Sequence, residues 1–413
     1  MKYKVLIKNC TWLYIIQIAN YLFPILTIPY LMRVIGVNNY GLMAVGQAVM
    51  AYINIIVDYG FNLTATRKIA NYGKNNSAIK EEYNNVLVCK IMIMMICAFI
   101  LLLVLYIAPL SLELKYFYLA AFTIVIGNTL FPIWFFQGIE DMKYITIINL
   151  ISRSIGLMLL FLCVNEQSDY GLAIFLQGFS SICSSIIALI IIYKKYNICL
   201  YRIPSVVQMK NILFEGRAIF IANACGNIYG QGAVLIVAFF AGQAATAYFS
   251  LGQKISGTIV SMIQPFVQAI YPHVCKMHED NRSLFLELFQ SILKKSIGLN
   301  VVLAFSMFFM ARYISIVIQG EVNLDLIRII QIFSIVTFGT VLNVILHPFI
   351  LAIGIYSWVQ SLYMKISGIF IMISIPLTYY CGLYGMIFSL IVVEYFIGYH
   401  YLKILMTHNN SCG

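Results

Sequence analysis

Four charged side chains fall in stretches that are otherwise apolar. They are Lys254 in YFSLGQKISGTIV, Arg153 in IINLISRSIGLML, Lys365 in VQSLYMKISGIFI and Glu394 in LIVVEYFIGY. A charge at the centre of a membrane helix costs at least ~2.5–3.5 kcal/mol, so each needs a reason to be there. Three cations against one anion leave positive charge over, which suits an anionic ligand such as a pyrophosphate. Glu394 is a candidate gating or coupling residue, and Glu394 and Lys365 also read as an ion pair across a helical hairpin. Lys90, one turn from a basic segment, reads as a snorkelling side chain. Asn223, Asn227 and Gln231 follow one another at i, i+4, i+8 as a polar stripe facing a wet cavity or a neighbouring helix. Beside it Ala222, Gly226 and Gly230 form a small-residue stripe suited to close helix packing.

Two further places combine polarity with backbone irregularity. Asp58 opens VDYGFNLTATRKIA, where Gly60 allows a sharp helix exit and Asn62 and Thr64 suit the cap of a following short helix. Arg67 and Lys68 come just behind, so Asp58 reads either as a gating latch or as a loop-ordering ion pair. Gln17 and Tyr21 share a helix face ahead of Pro24 and Pro29, and those prolines bend the helix either as a gate or as a static kink. Other chemistry lacks its residues. There is no Walker, HExxH or GxSxG pattern, ten cysteines form no CxxC pair, and five histidines make no ligand-spaced cluster. No cofactor or metal is expected, and His347-Pro348 reads as a hydrogen-bonded kink.

The elements that position these residues follow from composition. The 413 residues are 62% hydrophobic and 10% charged, with a mean hydropathy of +0.90, against roughly 25% charge in a soluble domain. Apolar runs of membrane length recur near 10–32, 40–61, 86–108, 116–136, 145–164, 170–193, 218–241, 246–272, 297–318, 326–353, 358–380 and 382–402. Lipid offers backbone groups no partner, so these runs are helical. Eighteen of the 26 Lys and Arg residues fall on one set of alternating ends, four (Arg33, Lys115, Arg312, Arg328) on the other, and four within spans. That bias predicts both termini in the cytoplasm, no cleaved leader, and loops near 62–85, 194–217 and 273–296 on the cytoplasmic side. It also accounts for the net charge of +11 without nucleic acid as a partner.

A shift of 206 residues superposes Gly36 on Gly242, Gly46 on Gly252, Gln47 on Gln253 and Gln17 on Asn223. The expected fold is therefore all-α: a polytopic membrane protein of about 12 transmembrane helices in two six-helix bundles related by pseudo-twofold symmetry, with a cavity between them. The expected domains are 1–193, a cytoplasmic linker 194–217, and 218–413.

The stretch PILTIPYLMRVIGVNNYGLMAVGQ followed by VDYGFNLTATRKIA resembles the N-terminal signature of Wzx-type flippases, the O-antigen and capsule repeat-unit transporters. These belong to the multidrug/oligosaccharidyl-lipid/polysaccharide superfamily, and YFSLGQKI around Lys254 extends the likeness more weakly. The resemblance implies a bacterial inner-membrane protein that turns undecaprenyl-pyrophosphate-linked oligosaccharide from the cytoplasmic to the periplasmic leaflet by alternating access. It implies that Lys254, Arg153 and, at the outer mouth, Arg33 receive the pyrophosphate, and that Asp58 and Arg67 match the cytoplasmic motif. A polysaccharide polymerase and a chain-length regulator are implied partners, as is a coupling ion, proton or sodium. A multidrug antiporter of the same superfamily and a membrane enzyme of polysaccharide assembly are the competing classes. The first usually has acidic residues early in the chain, where helix 1 has none. The second wants a large external loop or a surface acidic pair, for which only Glu140-Asp141 offers itself.

Overall fold

The computed structural model describes residues 22–73, 75–200, 202–280 and 282–410. Gln17 and Tyr21 lie outside the described residues. Among those residues there is no strand; they form three short 3-10 or π-helical turns and thirteen α-helices. In order they are α1 (Leu22–Val34), α2 (Gly36–Asp58), α3 (Phe61–Tyr72), α4 (Asn76–Ile107), α5 (Leu112–Leu130), α6 (Ile133–Gly138) and α7 (Met142–Cys163). There follow α8 (Tyr170–Ile191), α9 (Val206–Gly226), α10 (Ala233–Asp280), α11 (Arg282–Gln319), α12 (Leu324–Ala352) and α13 (Tyr356–Asn410). Nine of the described helical runs are long and apolar enough to cross a membrane. Two of these bend at a glycine, α10 at Gly242 and α13 at Gly382, which agrees with about twelve spans once α1 is included.

Three expected loops are largely helix. The 62–85 segment is α3 and the first turns of α4, 273–296 is the end of α10 and the start of α11, and α9 already begins at Val206. Polar helix ends that project past the apolar band explain the difference. The starts are capped as polar residues dictate: Asn75 Oδ1 accepts from Ala78 N, Ser111 Oγ from Leu114 N, and Ser205 and Gln208 form a reciprocal capping box on α9.

The chain divides into two compact units between Asn227 and Ile228. Inside each, glycines let helices approach closely, the usual solution where no hydrophobic effect drives helix association. In the N-terminal unit a Cβ on Gly46 of α2 would meet Phe117 of α5 at 2.8 Å, and Gly127 of α5 and Gly178 of α8 lie against Ser181 and Thr123 of each other's helix. In the C-terminal unit Gly252 of α10 lies against Phe333 of α12, while Gly339 of α12 and Gly398 of α13 lie against Glu394 and Asn343. In each unit glycines thus sit in two of the internal seams, α2–α5 and α5–α8 in the first, α10–α12 and α12–α13 in the second. Gly36 and Gly242, the pair that opens the sequence repeat, both adopt left-handed backbone, φ 80° and 84°, a conformation that favours glycine.

Candidate functional site

The N-terminal unit holds a cavity of about 300 Å³, built where α2 ends. Tyr59 (φ 44°) and Gly60 (φ 83°) turn the chain sharply from α2 into α3, so Asp58 sits at the mouth of the turn. Gly60 and Gly216 permit this turn to seat on α9, a Cβ on Gly60 falling 2.8 Å from Ile219. The Tyr59 ring stacks on Phe220 at 4.6 Å. Beneath it α6 and α3 close over a core that includes Trp134, Phe135, Phe136 and Ile69.

The cavity wall is polar and comes from five elements. Asn54 and Asp58 come from α2, Asn62 from α3, Lys90 from α4, Asn128 and Thr129 from α5, and Asn223 and Asn227 from α9 and the residue after it. Lys90 Nζ donates to Asp58 Oδ1 at 3.1 Å, with side-chain exposures of 4% and 22%. Lys90 is therefore a buried ion-pair partner and not a snorkelling side chain: α2 ends against α4, an adjacency that linear spacing does not show. Asn62 lines the cavity and does not cap α3, whose N-cap is Gly60 without a side-chain bond. Tyr52 Oη donates to the Asn227 carbonyl at 3.2 Å, and Asn227 Nδ2 donates to the Asn223 carbonyl at 2.9 Å. Five amides and an ion pair around a small polar space can donate to and accept from a polyhydroxylated ligand at once.

The other sequence-selected residues are distributed differently. Gln231 lies in a π-helical turn, Ile228–Gly232, so the Asn223–Asn227–Gln231 stripe is not one α-helical face. It crosses from one unit into the other. Arg153 on α7 and Lys254 on α10 are half-buried, whereas Arg33 and Lys365 are exposed, and none of the four lines the cavity. The expected Glu394–Lys365 pair does not form. Glu394 is 9% exposed and accepts from Asn343 Nδ2 at 2.7 Å. Asn343 sits opposite it on α12, while Lys365 faces outward on α13. Arg67 is exposed on α3 and does not pair with Asp58, while its neighbour Lys68 bridges Glu215 at 2.7 Å and Glu82 at 3.4 Å. Pro24 and Pro29 lie within α1, where Thr27 Oγ1 donates to the Pro24 carbonyl at 3.5 Å.

Ion pairs gather the expected cytoplasmic segments of this unit at one end. Besides Lys68, Arg202 pairs with Glu81, and Lys195 with Asp141 at 2.7 Å. Burial opposes ionisation of Asp141, but hydrogen bonds from Lys195 and Tyr196 outweigh it and hold the carboxyl below its usual range. At the opposite end Tyr30 Oη donates to the Val164 carbonyl, Asn39 Nδ2 to the Gln167 carbonyl, and Tyr170 Oη to Glu113 Oε1.

This architecture defines a multi-pass helical membrane protein with a polar chamber in its first unit. Its fold is that of the MATE transporters. A structure described as the inward-facing conformation of a multidrug resistance MATE family transporter of the MOP superfamily superposes with TM-score 0.72 at 15% identity, over 95% of this chain and 96% of that one. Its outward-facing counterpart gives 0.55, also at 15% identity, over 96% and 95%. Residues 6–278 match the family described as polysaccharide biosynthesis protein, and the chain belongs to that family. Two curated relatives carry the name "Putative O-antigen transporter". The one from Escherichia coli (strain K12) is 32% identical over 65% of this chain, a match spanning 64% of the relative's length. The one from Shigella dysenteriae is 26% identical over 96% of this chain and 99% of its own length.

Proposed function

We propose that the chain is a flippase. It turns undecaprenyl-pyrophosphate-linked oligosaccharide repeat units from the cytoplasmic to the periplasmic leaflet of a bacterial inner membrane by alternating access, drawing on an ion gradient. The observation that carries the reading is the nearly full-length relative named as an O-antigen transporter. The polar chamber of the first unit supports it. In this reading 1–193 and 218–413 are the two six-helix halves, joined by 194–217, and both termini face the cytoplasm. Lys254 and Arg153, with Lys365 and, at the outer mouth, Arg33, attract the pyrophosphate. Asn223, Asn227, Gln231 and Gln17 serve sugar hydroxyls. Asp58, Arg67, Pro24 and Pro29 belong to the gate, and polymerase and chain-length regulator act on the product.

The test is surface polysaccharide in a deletion strain complemented with wild type or with Lys254→Ala. Deletion abolishes polysaccharide, and well-expressed Lys254→Ala restores it at a level reduced roughly ten- to a hundredfold, the scale of a lost charge-assisted bond worth ~1.5–3 kcal/mol. Full restoration by Lys254→Ala would remove that residue from the substrate site. Polysaccharide that survives deletion in a strain with no second flippase would overturn the function itself.

A further inference from the structure

Four asparagine side chains of the first unit line one space and bond to nothing around it. They are Asn54 of α2, Asn62 of α3, Asn128 of α5 and Asn223 of α9. Among the described residues, none of these four side-chain amides has a hydrogen-bond partner. Asparagines elsewhere in the unit are tied up: Asn39, Asn84 and Asn149 each donate to a backbone carbonyl at 2.8 Å. An amide on a membrane helix is costly unless something bonds it, and packing does not call for four around one cavity. We propose that the chamber is a specificity site for one uncharged sugar ring of the lipid-linked substrate, with Asn54, Asn62 and Asn128 deciding which sugar is accepted. The assignment rests on the flippase reading and says which part of that substrate the first unit meets.

Charge, bonding pattern and size each point to a neutral sugar. Asp58 and Lys90 are the charged residues of the wall, and their bridge at 3.1 Å leaves no net charge there. A pyrophosphate or a uronic acid brings negative charge to a place whose ammonium is already taken and only 4% exposed. Drawing Lys90 away would strand Asp58 as an unpaired carboxylate. A sugar hydroxyl makes no such demand. Asp58 Oδ1 accepts from Lys90, which leaves Oδ2 to accept from a hydroxyl in a charge-assisted bond. Each asparagine amide offers donor hydrogens and an acceptor oxygen. The Thr129 hydroxyl already donates to the Val125 carbonyl at 2.7 Å, so it adds acceptor capacity only. Ile55, Phe131 and Ile133 complete the wall with apolar surface for the C–H face of a ring, the usual mixture in a ligand site. The chamber's volume of about 300 Å³ is that of roughly ten waters at ~30 Å³ each. That admits one pyranose with its hydroxyls and not a whole repeat unit.

The experiment measures binding of synthetic lipids to the purified full chain in lipid nanodiscs. The lipids are undecaprenyl pyrophosphate bare, carrying one neutral sugar (glucose, galactose and N-acetylglucosamine in turn), and carrying the matching uronic acid. Wild type should bind at least one neutral-sugar lipid about tenfold tighter than the bare one, the scale of one or two well-made hydrogen bonds. It should gain nothing from the uronic acid. Asn54→Leu combined with Asn62→Leu should bring the neutral-sugar and bare lipids to equal affinity. Asn128 is exposed on α5, so Asn128→Lys adds a charge to the chamber without disturbing packing. That variant should reverse the preference and bind the uronic-acid lipid tighter than the neutral one, a change that a merely structural asparagine would not produce. Equal affinity of wild type for bare and neutral-sugar lipids would overturn the proposal and leave the flippase reading standing. So would a uronic acid bound as well as its neutral partner, or an Asn128→Lys protein with the wild-type preference. Failure of wild type to bind any of these lipids would overturn the flippase reading together with the proposal.

Discussion

The Lys90 ammonium is almost wholly removed from solvent and stands 3.1 Å from Asp58 Oδ1. Breaking a buried pair by deleting one partner leaves an uncompensated charge and costs about 3–5 kcal/mol, whereas replacing both partners by neutral groups is often neutral or stabilising. Lys90→Met or Asp58→Asn alone should therefore lower the thermal midpoint of the detergent-solubilised protein, and the double substitution should recover most of the loss. If the pair also serves the chamber, the recovered double variant still fails to export polysaccharide. Normal export by the double variant would reduce the pair to packing. Asp58 was legible because a carboxylate before Tyr-Gly at a helix end is conspicuous. Its partner was not, because the contact joins helices 32 residues apart and Lys90 resembles any lysine near a basic segment. The chamber's amides had a faint signal in the spacing Asn54–Asp58–Asn62, four residues apart each time.

At the scale of elements, the apolar runs were legible because lipid permits only helix there, and their ends at Gly242 and Gly382 fall where sequence placed a break. What was lost is the helix beyond the apolar band. α3 and the ends of α10 and α11 are polar enough to read as loop; α3 is held as helix by packing, as where Thr66 Oγ1 donates to the Trp134 carbonyl at 3.2 Å. The seams were not legible either, since a glycine in an apolar run does not name the helix it touches. The α5–α8 seam shows what is at stake. Gly178 faces Thr123, and Gly127 faces Ser181, whose neighbour Ser185 donates to the Gly127 carbonyl at 2.6 Å. There is no flexible side-chain tip to yield, because a Cβ on Gly178 would also meet Ile124 N at 2.8 Å. Gly178→Val should push the helices apart and abolish the monodisperse peak in size-exclusion chromatography. Gly171→Val, at a glycine with nothing within 4 Å of a Cβ, should leave that peak intact. Equal behaviour of the two variants would show that close approach along this seam is not needed for folding.

For the whole molecule, the positive-inside count sorted connecting segments into two sets, and contacts within the N-terminal unit sort them the same way. Lys68, Glu81, Glu82, Asp141, Lys195, Arg202 and Glu215 interlock at one end; Tyr30, Asn39, Glu113, Val164, Gln167 and Tyr170 meet at the other. The agreement has a physical basis, since antiparallel membrane helices place every second connection on the same side, and only that side retains Lys and Arg against translocation. Contacts establish which ends go together, and charge assigns the cytoplasmic one. Two native thiols test the assignment directly. Cys163 closes α7 beside Val164, and Cys199 lies in the segment after Asn197 between Lys195 and Arg202; both are exposed. In a variant retaining only Cys163, a membrane-impermeant maleimide added to spheroplasts should label the protein. In one retaining only Cys199, labelling should appear only after the membrane is permeabilised. The reverse pattern would invert the topology and place the Asp58–Lys90 chamber, whose wall draws on α3 and α9, the helices that carry Lys68 and Glu215, on the periplasmic face. In the flippase reading a chamber there would meet the sugar after translocation and not before it, so this one labelling pattern bears on sidedness and on the proposed direction of transport together.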